Sequence, residues 1–330
     1  MKHELLVDAE AAGKRVDVFV GEKLSLSRAK LKALFEAEAV RVNGRKVKKG
    51  LAVAEGQRVE LELEEAVSAV AGADPSLTVN VLWEDEALVF VDKPARMPSQ
   101  PLKPGELGAV ANALVAKYPG IEQVSDDARE AGLCHRLDVE TSGVLLAAKT
   151  REAWQTMRAQ FSSDSRDLDK RYLALVAGPL ADEGEIDLPL AHHGDSVRPA
   201  VSGLEAREAK SEFRVLERVT DLALVEVRIV TGVLHQVRAH LAAVGAPIVG
   251  DVLYGGRPIE GLTRSFLHAR SLAVAHPSTG LRVVVESPLP DELLQVLEAL
   301  HFTFSRSLAE PVGASRPRLS LGRDEGGAGC

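Results

Sequence analysis

Cysteine is almost missing from this chain: Cys134 and Cys330 are the only two in 330 residues. One lies mid-chain and the other at the end, so no structural disulfide is expected and the spacing makes no zinc-site pattern. No run of about 18 apolar residues occurs, which excludes a membrane-spanning helix. The first residues, Met1-Lys2-His3-Glu4, lack the apolar stretch of a secretion signal. No Gly-x-Ser-x-Gly turn is present, so a Ser-His-Asp hydrolase is unsupported. A positive balance is also lacking: 48 acidic residues against 40 basic ones leave a net charge of −8. That total argues mildly against a polyanionic partner, since phosphate binding is driven by Lys and Arg. Aromatic residues make up only 4%, so each one beside a polar motif gains weight. These absences together predict a soluble, cytoplasmic, monomeric protein with no membrane partner.

The apolar fraction, 45%, is ample for a packed core, and the length suits about two domains. Within the acidic total the charge is unevenly spread. Arg41, Arg45, Lys46, Lys48 and Lys49 fall within nine residues that carry no acidic group, a local patch of the kind that binds nucleic acid. The surrounding residues predict a small unit. Ser27 is placed to cap a helix carrying Leu31, Leu34 and Phe35 at helical spacing. Val40–Val47 predicts two short strands about an Asn43-Gly44 hairpin turn, and Val59–Leu63 alternates like a surface strand. Residues 66–79 read as a linker. Beyond it strands and helices mix without regular βαβ alternation. Phe213–Val219 and Ala223–Val230 predict antiparallel partners joined at Thr220-Asp221, and 235–244 predicts a short helix. Residues 305–330 lose all periodicity and predict a disordered tail.

The most informative stretch runs from His135 to Val144. Arg136-Leu137-Asp138 is followed by Thr141-Ser142-Gly143 and then an apolar run to Ala148, which puts one carboxylate on a tight loop entering a buried strand. By itself this is also an ordinary solvated turn. Other blocks follow in order: Glu84–Ala95 with its Lys93-Pro94 turn, Lys170–Gly178, Thr231–His240, Gly250–Gly255, Phe266–Ala269 and His276-Pro277. With His-Arg-Leu-Asp-x-x-Thr-Ser-Gly at their centre, these blocks over residues 80–295 resemble the RluA-type RNA pseudouridine synthases. Separately, Ser27-Arg28-x-x-Leu31 followed by Val40-x-Val42-Asn43-Gly44-x-x-Val47 looks like the S-four-type RNA-binding module.

The resemblance implies an α+β fold, a pseudouridine synthase domain around a mixed, mainly antiparallel sheet, with a small N-terminal α/β RNA-binding domain. The domains would be 1–65 for RNA binding and 80–304 for catalysis. It implies isomerisation of uridine in RNA, with large-subunit ribosomal RNA the leading substrate and transfer RNA the second. The reaction breaks the glycosidic bond, turns the uracil and rejoins the sugar to a ring carbon, so no cofactor or metal is expected. Asp138 would be the reacting carboxylate, as nucleophile on the anomeric carbon or as base on the sugar. A desolvated carboxylate needs a permanent cation beside it, a part the resemblance gives to Arg238. Tyr172 would face the flipped base, Leu267 would add an apolar contact, and Arg136 would hold the nucleotide or its phosphates. Arg41, Arg45, Lys46, Lys48 and Lys49 would bind substrate RNA outside the cleft. His135 and His268 are expected to hold loops rather than take protons. Two departures stand out. The family reads Thr-Gly-Arg-Thr-His-Gln where this chain has Val233 and Leu234, and the usual glycine and histidine after the Lys-Pro turn are missing. The lost arginine implies altered affinity or target choice. It also leaves room for a rival reading, a non-catalytic RNA-binding or ribosome-assembly protein that kept the fold.

Overall fold

A computed structural model of the chain describes residues 2–24, 31, 34, 35, 37–62, 70–162, 167–194, 196–200 and 206–303. Ser27, the expected helix cap, and the expected tail at 305–330 lie outside the described residues. The chain divides into two compact units, 1–67 and 68–330. No described helix is long and apolar enough to cross a membrane.

The first unit is a four-stranded antiparallel sheet in the order β1-β4-β2-β3: β1 Lys2–Leu6, β2 Val40–Val42, β3 Arg45–Lys46 and β4 Arg58–Glu62. Helix α1, Val16–Leu24, buries Val16, Phe19 and Val20 in the unit's core. Leu31 joins that core, with Leu34 and Phe35 packed against it. Asn43 and Gly44 both adopt left-handed backbone (φ 48° and 74°), the requirement of the tightest hairpin turn. The turn pairs Arg41 with Lys46 and Val42 with Arg45. All five basic residues of the patch are exposed, although Lys46 is already paired with Glu38 at 2.7 Å. The alternating strand, β4, lies between β1 and β2 and turns Val59 and Leu61 to its buried face. Part of the stretch read as a linker, 66–79, is packed. Ala71 is buried and bonded to the Ala128 carbonyl, while Asn112 ties down Gly72 and Asp74.

The second unit is built on one large sheet in the order β5-β6-β7-β15-β8-β14-β13-β9, with β16 paired to β15. Its strands are β5 Asn80–Glu84, β6 Leu88–Lys93, β7 Ser142–Ala148, β8 Asp169–Ala177, β9 Glu183–Asp187, β13 Lys210–Val219, β14 Leu222–Ile229, β15 Leu267–Ala275 and β16 Arg282–Glu286. Every pairing is antiparallel except β7 with β15, so the sheet is mixed and mainly antiparallel. A smaller sheet, β10 Leu190–His193, β11 Ser196–Pro199 and β12 Ala206–Arg207, packs through β11 against the helix Gln236–Ala243. Four described helices complete the unit: α2 Val110–Lys117, α3 Arg151–Ser162, α4 Gln236–Ala243 and α5 Asp291–Ala299.

Every residue of β7 is buried, as its unbroken apolar run from Val144 demands of a strand covered on both faces. The parallel contact at its start is unusually close. Gly143 has φ 119°, and a Cβ there would run into the Ala269 carbonyl of β15. Gly143→Ala should therefore lower stability by about 2 kcal/mol or more. Denaturant unfolding checks this, and a midpoint equal to wild type would show that the two strands separate at little cost.

Candidate active site

Three central strands and one helix converge on a single cavity. Asp138 lies on the loop that enters β7. Tyr172 sits on β8 opposite Ala269, and Leu267 opens β15 opposite Ala174. Helix α4, which follows β14, supplies Arg238. The cavity measures about 660 Å³ and is lined by Asp138, Tyr172, Arg238, Arg136 and Leu267, among others. That volume is ordinary for a small-ligand site, which spans roughly 300–1,000 Å³. The structure thus brings together all five cleft residues singled out in the sequence. The basic patch belongs to the other unit.

The Asp138 loop is held almost entirely through its backbone. Ser99 bridges both polar groups of Leu137, its Oγ donating to the carbonyl at 2.9 Å and accepting the N–H at 3.0 Å. The Val139 carbonyl accepts from Arg96 N at 2.7 Å and from Lys93 Nζ at 3.1 Å. Lys93 also reaches the carbonyls of Pro94 and Met97 at 2.8 and 2.7 Å. Burial and the neighbouring Arg264 push its ammonium down to about 7, with Asp138 and Glu140 pulling the other way. Three carbonyl acceptors match three ammonium protons, one more than a neutral amine possesses, so the geometry favours the charged form. From the far side Arg264, buried, donates to the Glu140 carbonyl at 3.0 Å and to Ser142 Oγ at 3.1 Å. The Lys-Pro turn is therefore the clamp of the motif loop. Its role was not readable from the sequence, because Lys93 and Val139 stand 46 residues apart.

Asp138 is approached by two donors. Arg238 Nη1 lies 3.5 Å from Asp138 Oδ2, and His235 Nε2 lies 3.7 Å from the same oxygen. Arg238 makes its tighter pair elsewhere, binding Asp251 through Nε at 2.6 Å and Nη2 at 2.8 Å. Arg238 is thus shared between two carboxylates. The Asp251 side chain is 1% exposed, and a carboxylate buried that far needs a two-point cation. Burial works against the Arg238 charge, yet the Asp251 hydrogen bond and charge hold its guanidinium above the ordinary range, with Asp138 adding to them. The guanidinium also stacks over Tyr254, 4.9 Å from the ring centroid. Asp251 and Tyr254 were visible in the sequence only as parts of the Gly250–Gly255 block, with no role attached.

Tyr172 belongs both to the core and to the cavity wall. Burial, with a lesser push from Asp138, raises its phenol above the ordinary range. Lys170, two residues earlier on the same face of β8, is buried, and burial lowers its ammonium to about 8. It donates to the Thr231 carbonyl at 3.1 Å. Gln236 completes the anchoring of that loop: its Oε1 accepts from Thr231 Oγ1 at 2.8 Å and Val233 N at 3.1 Å, and its Nε2 donates to the Lys210 carbonyl at 2.8 Å. Val233 and Leu234, the two departures from the family pattern, pack on a small apolar cluster of Leu190, Val197, Ala209 and Ala239. His135 stacks on Phe161 and accepts from Leu146 N, while His268 bonds Ser142 Oγ. Burial pushes both imidazoles down to about 3, so both are uncharged near neutral pH.

A family model described as RNA pseudouridylate synthase matches residues 87–243, which contain Asp138, Tyr172 and Arg238. "Ribosomal large subunit pseudouridine synthase D" of Pseudomonas aeruginosa is 33% identical over 308 residues, covering 89% of this chain and 94% of its own. The chain belongs to the RluA-type RNA pseudouridine synthases. It is an isomerase. A Mycobacterium bovis relative named as an uncharacterized RNA pseudouridine synthase is 36% identical over 301 residues, 88% of this chain and 95% of its own. Among solved structures, Human RNA Pseudouridylate Synthase Domain Containing 4 superposes with a TM-score of 0.53 at 24% identity, covering 67% of this chain and 92% of that one. Human RNA Pseudouridylate Synthase Domain Containing 1 gives 0.52 at 22%, over 68% and 94%. Both share the fold of this synthase.

Proposed function

We propose that this pseudouridine synthase acts on large-subunit ribosomal RNA, with Asp138 as the reacting carboxylate and the first unit as an RNA-docking module of the S-four type. The observation that carries the catalytic part is the placement of one carboxylate, 3.5 Å from Arg238 and on the wall shared with Tyr172 and Leu267. A uridine flipped into this cavity meets the apolar and aromatic face of Leu267 and Tyr172 together with the carboxylate. The C1′–N1 bond breaks, the uracil turns, and a C1′–C5 bond forms. The C5 proton leaves to solvent and N1 gains one, so no donor or oxidant is needed. Attack on the anomeric carbon and proton removal from the sugar both start from an ionised Asp138. Ribosomal RNA is favoured because relatives named for the large subunit align over nearly their whole length. The test maps pseudouridines in ribosomal and transfer RNA from cells with and without the gene. Loss of sites in large-subunit RNA is expected, and loss confined to transfer RNA would overturn the substrate.

The docking role of the hairpin has its own test. The variant Arg45→Glu, Lys46→Glu, Lys48→Glu, Lys49→Glu should bind full-length substrate more weakly. The slope of log affinity against log salt should become shallower by about one for each RNA phosphate that the variant no longer neutralises. Lys46 should contribute least, since Glu38 already holds it. A minimal stem-loop that reaches only the catalytic unit should be affected far less, and equal weakening on both RNAs would refute a separate docking site.

A further inference from the structure

One cleft residue has no part in the chemistry above. His235 stands at the head of α4 with left-handed backbone (φ 52°, ψ 20°) and makes no side-chain cap to the helix. Left-handed backbone costs a non-glycine residue roughly 1 kcal/mol, and no side-chain cap to the helix offsets it; the imidazole lines the cleft instead.

Both ring nitrogens of His235 have defined neighbours. Nδ1 lies 3.0 Å from the Tyr254 hydroxyl, and that hydroxyl accepts the Val197 N–H at 3.0 Å. With one lone pair taken, the arrangement that also places the phenol's proton is donation to Nδ1. Nδ1 is then an acceptor, and the imidazole's own proton sits on Nε2, 3.7 Å from Asp138 Oδ2. Tyr254 is itself fixed, with the Arg238 guanidinium on its face and the His235 ring at its edge, 5.8 Å away at 87°.

We propose that His235 is a positioning residue for Asp138: Tyr254 fixes the imidazole as the Nε2–H tautomer, and that N–H is aimed at Asp138 Oδ2. The inference rests on the reading of Asp138 as the reacting carboxylate. At 3.7 Å the contact is one of charge with dipole, outside hydrogen-bond length. It adds a second contact to the oxygen that Arg238 approaches, on a carboxylate whose loop is held almost entirely through its backbone. The charged groups facing the ring are Asp138, Arg238, Asp251 and Arg136. Burial lowers the imidazole below its ordinary range, with Asp138 opposing. The ring is therefore neutral in the working range and does not compete with Arg238 as a second cation.

Four variants and nitrogen-15 spectra test this. Tritium release from RNA labelled at uracil C5 is measured under saturating substrate, on proteins whose melting shows them folded. His235→Phe should lower kcat about tenfold, equivalent to about 1.4 kcal/mol, with KM within about twofold. The acid limb of its kcat profile should move to higher pH. His235→Gln, which offers an amide N–H at similar reach, should recover most of the loss. Nitrogen-15 spectra of histidine-labelled wild type should show His235 protonated on Nε2, and Tyr254→Phe should give a tautomer mixture. Wild-type kcat in His235→Phe, an equal loss in His235→Gln, or a wild-type proton on Nδ1 would each overturn the proposal. Asp138→Asn separates the levels. Turnover in that variant removes the reading beneath, whereas an inert Asp138→Asn beside an unimpaired His235→Phe removes only the positioning role.

Discussion

Asp138→Asn should abolish pseudouridine formation while leaving a folded protein that still binds RNA. The amide has the same shape but neither attacks carbon nor takes a proton at neutral pH, so the expected loss in turnover is on the order of 10⁴-fold or more. Folding should be nearly unaffected, because the side chain contributes little to it. Its described partners stand at 3.5 and 3.7 Å, and it is 20% exposed. The loop is held through Leu137, Val139 and Glu140 by backbone contacts to Ser99, Lys93, Arg96 and Arg264, none of which the substitution touches. The Asp138 carbonyl still accepts the Thr141 N–H that closes the turn. Tritium release, a melting curve and an RNA-binding isotherm together check the claim. Turnover near wild type would remove Asp138 from the chemistry.

Arg238→Met should be nearly as damaging to turnover, and for two separable reasons. The substitution leaves Asp138 without the guanidinium that stands 3.5 Å from its Oδ2 in the cleft, so the carboxylate loses its charged neighbour where it must react. It also leaves Asp251 buried without a partner, which costs about 3–5 kcal/mol in comparable cases. The melting temperature should therefore drop as well. The double variant Arg238→Met, Asp251→Asn separates the two effects. It removes the unpaired buried charge, so stability should largely return, while turnover near neutral pH should stay low. RNA affinity should change little in either variant, since one phosphate contact is a single contribution among many. Poor binding with normal turnover at saturation would place Arg238 on the RNA backbone instead. Recovery of turnover together with stability in the double variant would make its role structural alone.

The parts of this enzyme that a reader of the sequence could place are those written in local pattern. The unbroken apolar run after Gly143 marks β7. The alternation on either side of Thr220-Asp221 marks the β13–β14 hairpin. Asn43-Gly44 marks the turn of the basic hairpin, since those two residues tolerate left-handed backbone. The helix bearing Arg238 follows from the spacing after His235. The loop bearing Asp138 was legible for the same reason, as a polar turn locked between apolar segments.

Pairing between distant residues left no such record. Val59 and Leu61 alternate as they would in any half-buried strand, and nothing local says that Lys2–Leu6 closes one side of β4. Alternation encodes which face a residue turns to the core, not which strand lies beside it. Buried charges are still less legible. Arg238, Asp251, Lys93 and Arg264 read as ordinary surface residues until the fold removes them from water, and desolvation then forces each to find a partner. Lys93 finds Val139 and Arg264 finds Glu140, 124 residues away. Arg238 divides itself between Asp251 and Asp138. The loop that carries Asp138 was thus a matter of local pattern, whereas its surroundings were set by which charges the folded sheet buried together.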